Sequence, residues 1–167
     1  MSEDAPQDAE SQLPPVRMVA QYIKDLSFEV PGAPEVYSAL RESPPEIPIG
    51  LDTSMRHLSE GNYEVVLKVN IEATVAGRTA FIFELAYGCV VEVNEQIVPN
   101  EAIHPLMLIE IPRQLFPFAR QLVCDMTLGG GFPPLMLQMV DFAQIYQAKF
   151  GVAGQPLETP PAGAAIN

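Results

Sequence analysis

Two alternating runs joined by a short turn restrict this chain more than any other feature. From Tyr63 onward, Tyr63, Val65, Leu67, Val69 and Ile71 share one parity, while Glu64, Val66, Lys68, Asn70 and Glu72 share the other. After a turn at Ala76-Gly77, Thr79, Phe81, Phe83, Leu85 and Tyr87 again form an apolar face, opposed by Ala80, Ile82, Glu84 and Ala86. A period of two residues places alternate side chains on opposite faces of a strand, so this is a long antiparallel hairpin with one face to bury. Cys89 to Val93 continues the alternation after Gly88, and reads as a fourth strand beyond a bend at that glycine.

An earlier strand spans Val16 to Val30. Within it Leu26, Phe28 and Val30 face one way, and Asp25, Ser27 and Glu29 the other. At about 3.3 Å of rise per residue, the two carboxylates lie roughly 13 Å apart. Paired-carboxylate glycosidases need separations of about 5–10 Å, so the spacing suits docking to a basic surface rather than acid–base chemistry. Pro31, Pro34, Pro44, Pro45 and Pro48 then exclude a regular helix or central strand and indicate a long crossing loop. Ile47, Ile49 and Leu51 keep an apolar face within it.

The period changes after residue 110. Leu115, Phe118, Ala119, Leu122 and Met126 recur at helical spacing, and Gly129 stops that helix, with Pro112 and Pro117 limiting its start. A second helix runs from about Asp141 to Phe150, with a stripe of Phe142, Ile145, Tyr146 and Phe150, led into by Met139. Residues 1–15 and 154–167 read as flexible tails around a single domain over 16–153. Strands followed by helices indicate an α+β fold: a four-stranded antiparallel sheet with two C-terminal helices on one face. Val66, Ile82 and Ala86 sit on the polar-parity face, and exposed apolar sheet surface points to oligomerisation through it.

A formal charge of −12, from 21 acids against 9 bases, disfavours nucleic-acid and anionic-membrane partners and favours a basic protein. With 48% apolar residues the chain is no disordered acidic polymer. It shows no signal-peptide core and no apolar run long enough for a bilayer, so a soluble, cytoplasmic protein is expected. Cys89 and Cys124 form no zinc pattern or disulfide framework and read as buried thiols. Gly129–Gly131 lacks the Lys-Ser/Thr of a phosphate-binding loop and reads as a helix stop and hinge. No cofactor or metal is expected. An enzyme using Cys124, His104 or Asp125 remains one alternative, and an acidic adaptor with no groove is another. Against these stands a surplus of apolar residues. Ile47, Ile49, Leu51, Leu135, Leu137, Tyr146 and Phe150 either pack against one another or line a groove open to apolar guests.

Four ordered blocks then resemble the SecB protein-export chaperones. They are Tyr22-Ile23-Lys24-Asp25-Leu26-Ser27-Phe28-Glu29-Val30-Pro31-Gly32-Ala33-Pro34, Tyr63-Glu64-Val65-Val66-Leu67-Lys68-Val69, Thr79-Ala80-Phe81-Ile82-Phe83-Glu84 and Leu115-Phe116-Pro117-Phe118-Ala119-Arg120. The last runs into Gly131-Phe132-Pro133-Pro134-Leu135, and the resemblance spans about residues 16–150. It implies a homotetramer, built as a dimer of dimers, that binds unfolded precursor proteins without ATP and delivers them to the SecA translocase motor. It further implies that Asp25, Glu29, Ile82 and Glu84 form the SecA-docking surface. Ile47, Ile49, Leu51, Leu135, Leu137, Tyr146 and Phe150 would line the client groove, and Phe83 and Leu85 would influence assembly. The segment Gly154–Asn167 departs from the family, having a single acid, Glu158, and no matching motif for a second SecA contact.

Overall fold

The computed structural model describes residues 14–151. The expected tails therefore lie outside the described residues, apart from Pro14 and Pro15. The strands are β1 (Val16–Glu29), β2 (Ile49–Ser59), β3 (Asn62–Val75) and β4 (Arg78–Val93). They form one antiparallel sheet in the order β1-β4-β3-β2. The helices are α1 (Val36–Glu42), α2 (Asn100–Pro105), α3 (Ile111–Gly129) and α4 (Phe142–Phe150), with a π-helical turn, Leu106–Glu110, joining α2 to α3.

The hairpin forms as its alternation dictates. Val65 pairs with Cys89 and Ile71 with Phe83, and the turn sits at Ala76 and Gly77, both at positive φ (49° and 72°). That two-residue geometry matches the right-handed twist of the flanking strands. Val65, Leu67, Val69, Ile71, Phe81, Phe83, Leu85 and Val91 are buried beneath the helices. The helix α3 crosses β3 and β4, and α4 rests on the π-helical turn.

Three expectations are corrected. Cys89–Val93 is not a separate strand. β4 runs through Gly88 unbroken because both neighbours pair with it there, Tyr22 from β1 and Val66 from β3. Gly88 is needed for a different reason, since a Cβ would stand 2.6 Å from Cε2 of Tyr22, whose ring lies across it. The fourth strand is instead β2, which begins at Ile49, directly after the last of the clustered prolines. The crossing segment also holds a helix, α1, because Pro34 and Pro44 bracket it rather than interrupt it.

The third correction concerns helix phase. Pro112 lies in the first turn of α3, directly after the π-helical turn, and Pro117 is accommodated inside the helix. The buried stripe is Ile111, Leu115, Phe116, Ala119, Val123 and Thr127, whereas Phe118 is 50% exposed. The stripe is rotated from the expected one because the helix packs against the sheet together with the preceding π-helical turn, which itself buries Met107 and Leu108. The helix α4 starts where the sequence indicates. The carboxylate of Asp141 accepts from the N–H groups of Ala143 (2.9 Å) and Gln144 (3.2 Å), satisfying two free amides of its first turn.

Candidate functional site

One face of the sheet is left open by the helices, and its composition follows from strand register. Two β-bulges in β1, at Val19 and Lys24, each add a residue without a partner on β4. The second bulge resets the parity of β1, so Tyr22 shares the open face with Asp25, Ser27 and Glu29 although Tyr22 and Ser27 are five positions apart, an odd spacing that an unbroken strand places on opposite faces. Across the sheet, Glu29 pairs with Ile82, which pairs with Glu72 on β3. Ser27 is opposite Glu84, and Asp25 is opposite Ala86.

The structure thus brings Asp25, Glu29, Ile82 and Glu84 onto two adjacent strands of one face. Asp25, Glu29 and Glu84 are exposed, and among the described residues none of them takes part in an ion pair. Half-buried Ile82 borders an open depression of about 420 Å³ shared with Glu72, Glu84 and Asn70. An apolar contact ringed by unpaired carboxylates can receive a partner segment that carries basic residues around an apolar side chain.

Beside it lies a network that strand parity alone does not reveal. Glu64, only 5% exposed, accepts from Tyr22 Oη (2.6 Å) and Lys24 Nζ (2.8 Å) through one oxygen. Its other oxygen accepts from Arg56 Nε (3.1 Å) and a terminal guanidinium nitrogen (2.8 Å). These residues come from β1, β2 and β3, and the ring of Tyr22 crosses β4 above Gly88 to reach them. Hydrogen bonds from Lys24 and Tyr22 hold the Glu64 carboxyl down to about 2, against the raising effect of its burial, with Arg56 assisting. Burial and the bond to Glu64 push the Tyr22 hydroxyl up to about 12.

On the helical side, the predicted groove residues divide. Ile49 is 44% exposed at the start of the edge strand β2, Leu51 and Ile47 are half-buried, and Phe150 on α4 is 43% exposed. The ammonium of Lys149 donates to Asp52 (2.5 Å) and to the Thr53 carbonyl (3.0 Å), bringing α4 alongside β2. Leu135 and Tyr146 are half-buried, but Leu137 is 4% exposed and belongs to the core. Leu135 is positioned by buried Thr127, whose hydroxyl donates to the Val123 carbonyl (2.9 Å) and accepts from the Leu135 N–H (3.0 Å). Sequence reasoning missed His104 here. Its Nδ1 is 2.8 Å from Tyr146 Oη, and its ring packs edge-on with Tyr146 and Phe150. The i, i+4 pair of aromatics on α4 is the signal that such a partner exists. Met136 and Met139, 54% and 94% exposed, add flexible apolar surface before α4.

Phe83 and Leu85, expected to influence assembly, are fully inside the protomer at 0% and 2% exposure. The enzymatic alternative finds no assembled group. His104 is engaged by Tyr146, Asp125 accepts from Gln121, and Cys124 stands on α3, half-buried where a buried thiol was expected, while Cys89 is buried. Gly130 and Gly131 serve packing, since a Cβ on Gly130 would overlap the ring of Phe28 and Tyr37 Oη donates to the Gly130 carbonyl (2.7 Å). Among the described residues no cluster of His, Cys, Asp and Glu could hold a metal, and no helix is long and apolar enough to cross a membrane.

A four-stranded antiparallel sheet, open on one face and covered by helices on the other, with a half-exposed apolar edge, defines an α+β protein. Comparison with known proteins gives its family. The profile of the preprotein translocase subunit SecB matches residues 9–152, so the chain belongs to the SecB family, which consists of protein-export chaperones and not of enzymes. It is 49% identical over 143 residues to the protein-export protein SecB of Paramagnetospirillum magneticum, covering 86% of this chain and 90% of that one. It is 48% identical to that of Rhodospirillum rubrum over 139 residues, covering 83% and 84%. The fold matches the Mycobacterium tuberculosis Rv1957 SecB-like chaperone, solved in complex with a ChAD peptide from the Rv1956 HigA1 antitoxin. That match has a TM-score of 0.64 at 12% identity, covering 75% of this chain and 91% of the other.

Proposed function

We propose that this chain works in the cytoplasm as an ATP-independent homotetramer, a dimer of dimers, that holds unfolded precursor proteins and delivers them to SecA. The observation that supports delivery is the register that sets Asp25 and Glu29 of β1 on the same open face as Ile82 and Glu84 of β4, with Ile82 and Glu84 bordering one depression there. Client binding is supported by the exposed apolar surface of Ile49, Phe150, Met136 and Met139. Burial stabilises by roughly 25 cal/mol per Å², so each groove binds weakly, and several grooves on one assembly acting on one long chain raise the overall affinity.

Self-association is better supported at the β1 edge and α3 than on the open face. Ile23, Val19 and Phe118 are about half exposed, at 49%, 51% and 50%, and Phe118 stacks on Tyr87 across from Ile23. Val66 on the open face is by contrast buried at 7% exposure.

Excess protein is expected to delay refolding of a slow-folding precursor in the absence of nucleotide. Unchanged refolding kinetics would end the holding hypothesis. Asp25→Lys should weaken SecA binding about tenfold at low salt, because it replaces attraction by repulsion at an exposed charge, while client binding is unchanged. Parallel loss of both activities in a titration would instead mark Asp25 as structural.

A further inference from the structure

The open face is not uniformly acidic. Next to Asp25 it encloses an open cavity of about 430 Å³, with Val66 and Ala86 at its floor and Lys24, Arg56 and Lys68 among its walls. In a chain of formal charge −12 with nine basic residues, three of the nine gathered around one cavity form a local reversal of sign. Two carboxylates also line it, Glu64 and Asp25. Glu64 is shared between Lys24 and Arg56, so a single negative charge faces two positive ones. Lys68 has no ion-pair partner among the described residues. Its cross-strand neighbour Asp52 is the obvious candidate, yet that carboxylate is taken by Lys149 of α4. On its other side Lys68 faces Ala86, which separates it from Asp25.

We infer that this cavity is an acceptor for a carboxylate side chain of the protein that docks on the open face, with Lys68 as its principal charged contact and Lys24 and Arg56 completing the positive rim. The inference rests on the docking role proposed for Asp25, Glu29 and Glu84, and it narrows the partner. A purely basic segment would satisfy the acidic residues but leave Lys68 facing like charge. The fitting segment places basic residues over Asp25, Glu29 and Glu84 and an Asp or Glu one or two strand widths away, over Lys68. Opposite charges met in alternation fix register, whereas a uniform field only attracts. The cavity is anchored for this purpose, because Glu64 ties Lys24 and Arg56 to three strands at once. Lys68 is exposed and can turn toward a ligand without breaking a bond.

The test uses the full-length chaperone, purified SecA as the probe, and the variants Lys68→Glu and Asp25→Lys. If the face acts only through negative charge, Lys68→Glu makes it more negative and tightens SecA binding. If Lys68 receives a carboxylate, the same substitution weakens binding, by about five- to tenfold at low salt, and Lys68→Arg restores it. Weakening by both Lys68→Glu and Asp25→Lys supports the inference. Weakening by Asp25→Lys with unchanged or tighter binding by Lys68→Glu overturns it and leaves the acidic docking surface standing. Weakening by Lys68→Glu alone removes the acidic docking surface, and with it the segment of alternating charge inferred here. A lower native mass for Lys68→Glu, with SecA affinity per chain unchanged, assigns the cavity to a second copy of the chain and overturns the inference.

Discussion

Phe83→Ala is expected to destabilise the protein by about 3–5 kcal/mol, the range for truncating a buried Phe. Its ring is fully buried on β4, opposite Phe28 of β1 and Ile71 of β3. Removing it leaves a cavity between the sheet and the helices, which the close-paired strands on either side cannot collapse to fill. Leu85, 2% exposed one turn of the pleat further on, should lose about 2–5 kcal/mol on the same substitution. The expected reading is a fall in the urea midpoint together with a fall in native mass, since a protomer with a loosened core presents its assembly surfaces poorly. A lower mass with an unmoved midpoint would place Phe83 at a subunit contact and contradict the burial argument.

Glu64→Ala should destabilise by about 1–3 kcal/mol, because Tyr22, Lys24 and Arg56 all lose their acceptor. The value falls below that of a fully buried ion pair because Lys24 and Arg56 are 43% and 66% exposed and turn to water. The same carboxylate produces a pH dependence whose sign is fixed. With the folded carboxyl held at about 2, below an unfolded value of roughly 4.3, the unfolded chain takes up the proton first as pH falls. The contribution is therefore complete above about pH 4.3 and disappears as pH falls toward 2. Tyr22 acts at the other end. With its hydroxyl raised to about 12 in the folded state, its contribution is complete below an unfolded value of about 10 and is lost as pH rises to about 12. Urea unfolding of the parent and of Glu64→Gln at pH 7, 4 and 2.5 separates this effect from general acid denaturation. The variant should lose less stability between pH 4.3 and 2.5. Equal losses in the two proteins would mean that Glu64 is not the group titrating in that window.

The second result bears on a face whose members were unequally visible in the sequence. Asp25, Ser27 and Glu29 stand out because they alternate with Leu26 and Phe28. Tyr22 and Lys24 do not, because the bulge at Lys24 shifts parity and a bulge has no local signature there. Glu64 reads as one more exposed acid in an alternating strand, and only its neighbours across three strands make it the buried centre of a network. The groove shows the same division. Phe150 and Tyr146 are legible from helical spacing, whereas His104, 42 residues before Tyr146, enters only through contact between α2 and α4.

The amino-acid pattern by itself determines the β3–β4 hairpin, since a period of two held over both runs permits a single burial face and a one-residue slip would expose every core side chain. It also determines α4, through the Asp141 cap and the aromatic stripe behind it. Tertiary structure decides the rest. It makes Ile49–Ser59 the fourth strand by pairing it with β3, and it rotates the buried stripe of α3 through the π-helical turn before it. It also assembles cations from β1, β2 and β3 at one cavity of an acidic protein. The reason is that periodicity records which side of an element is buried, while strand partners, bulges and ion pairs depend on residues distant in sequence, whose approach no local pattern encodes.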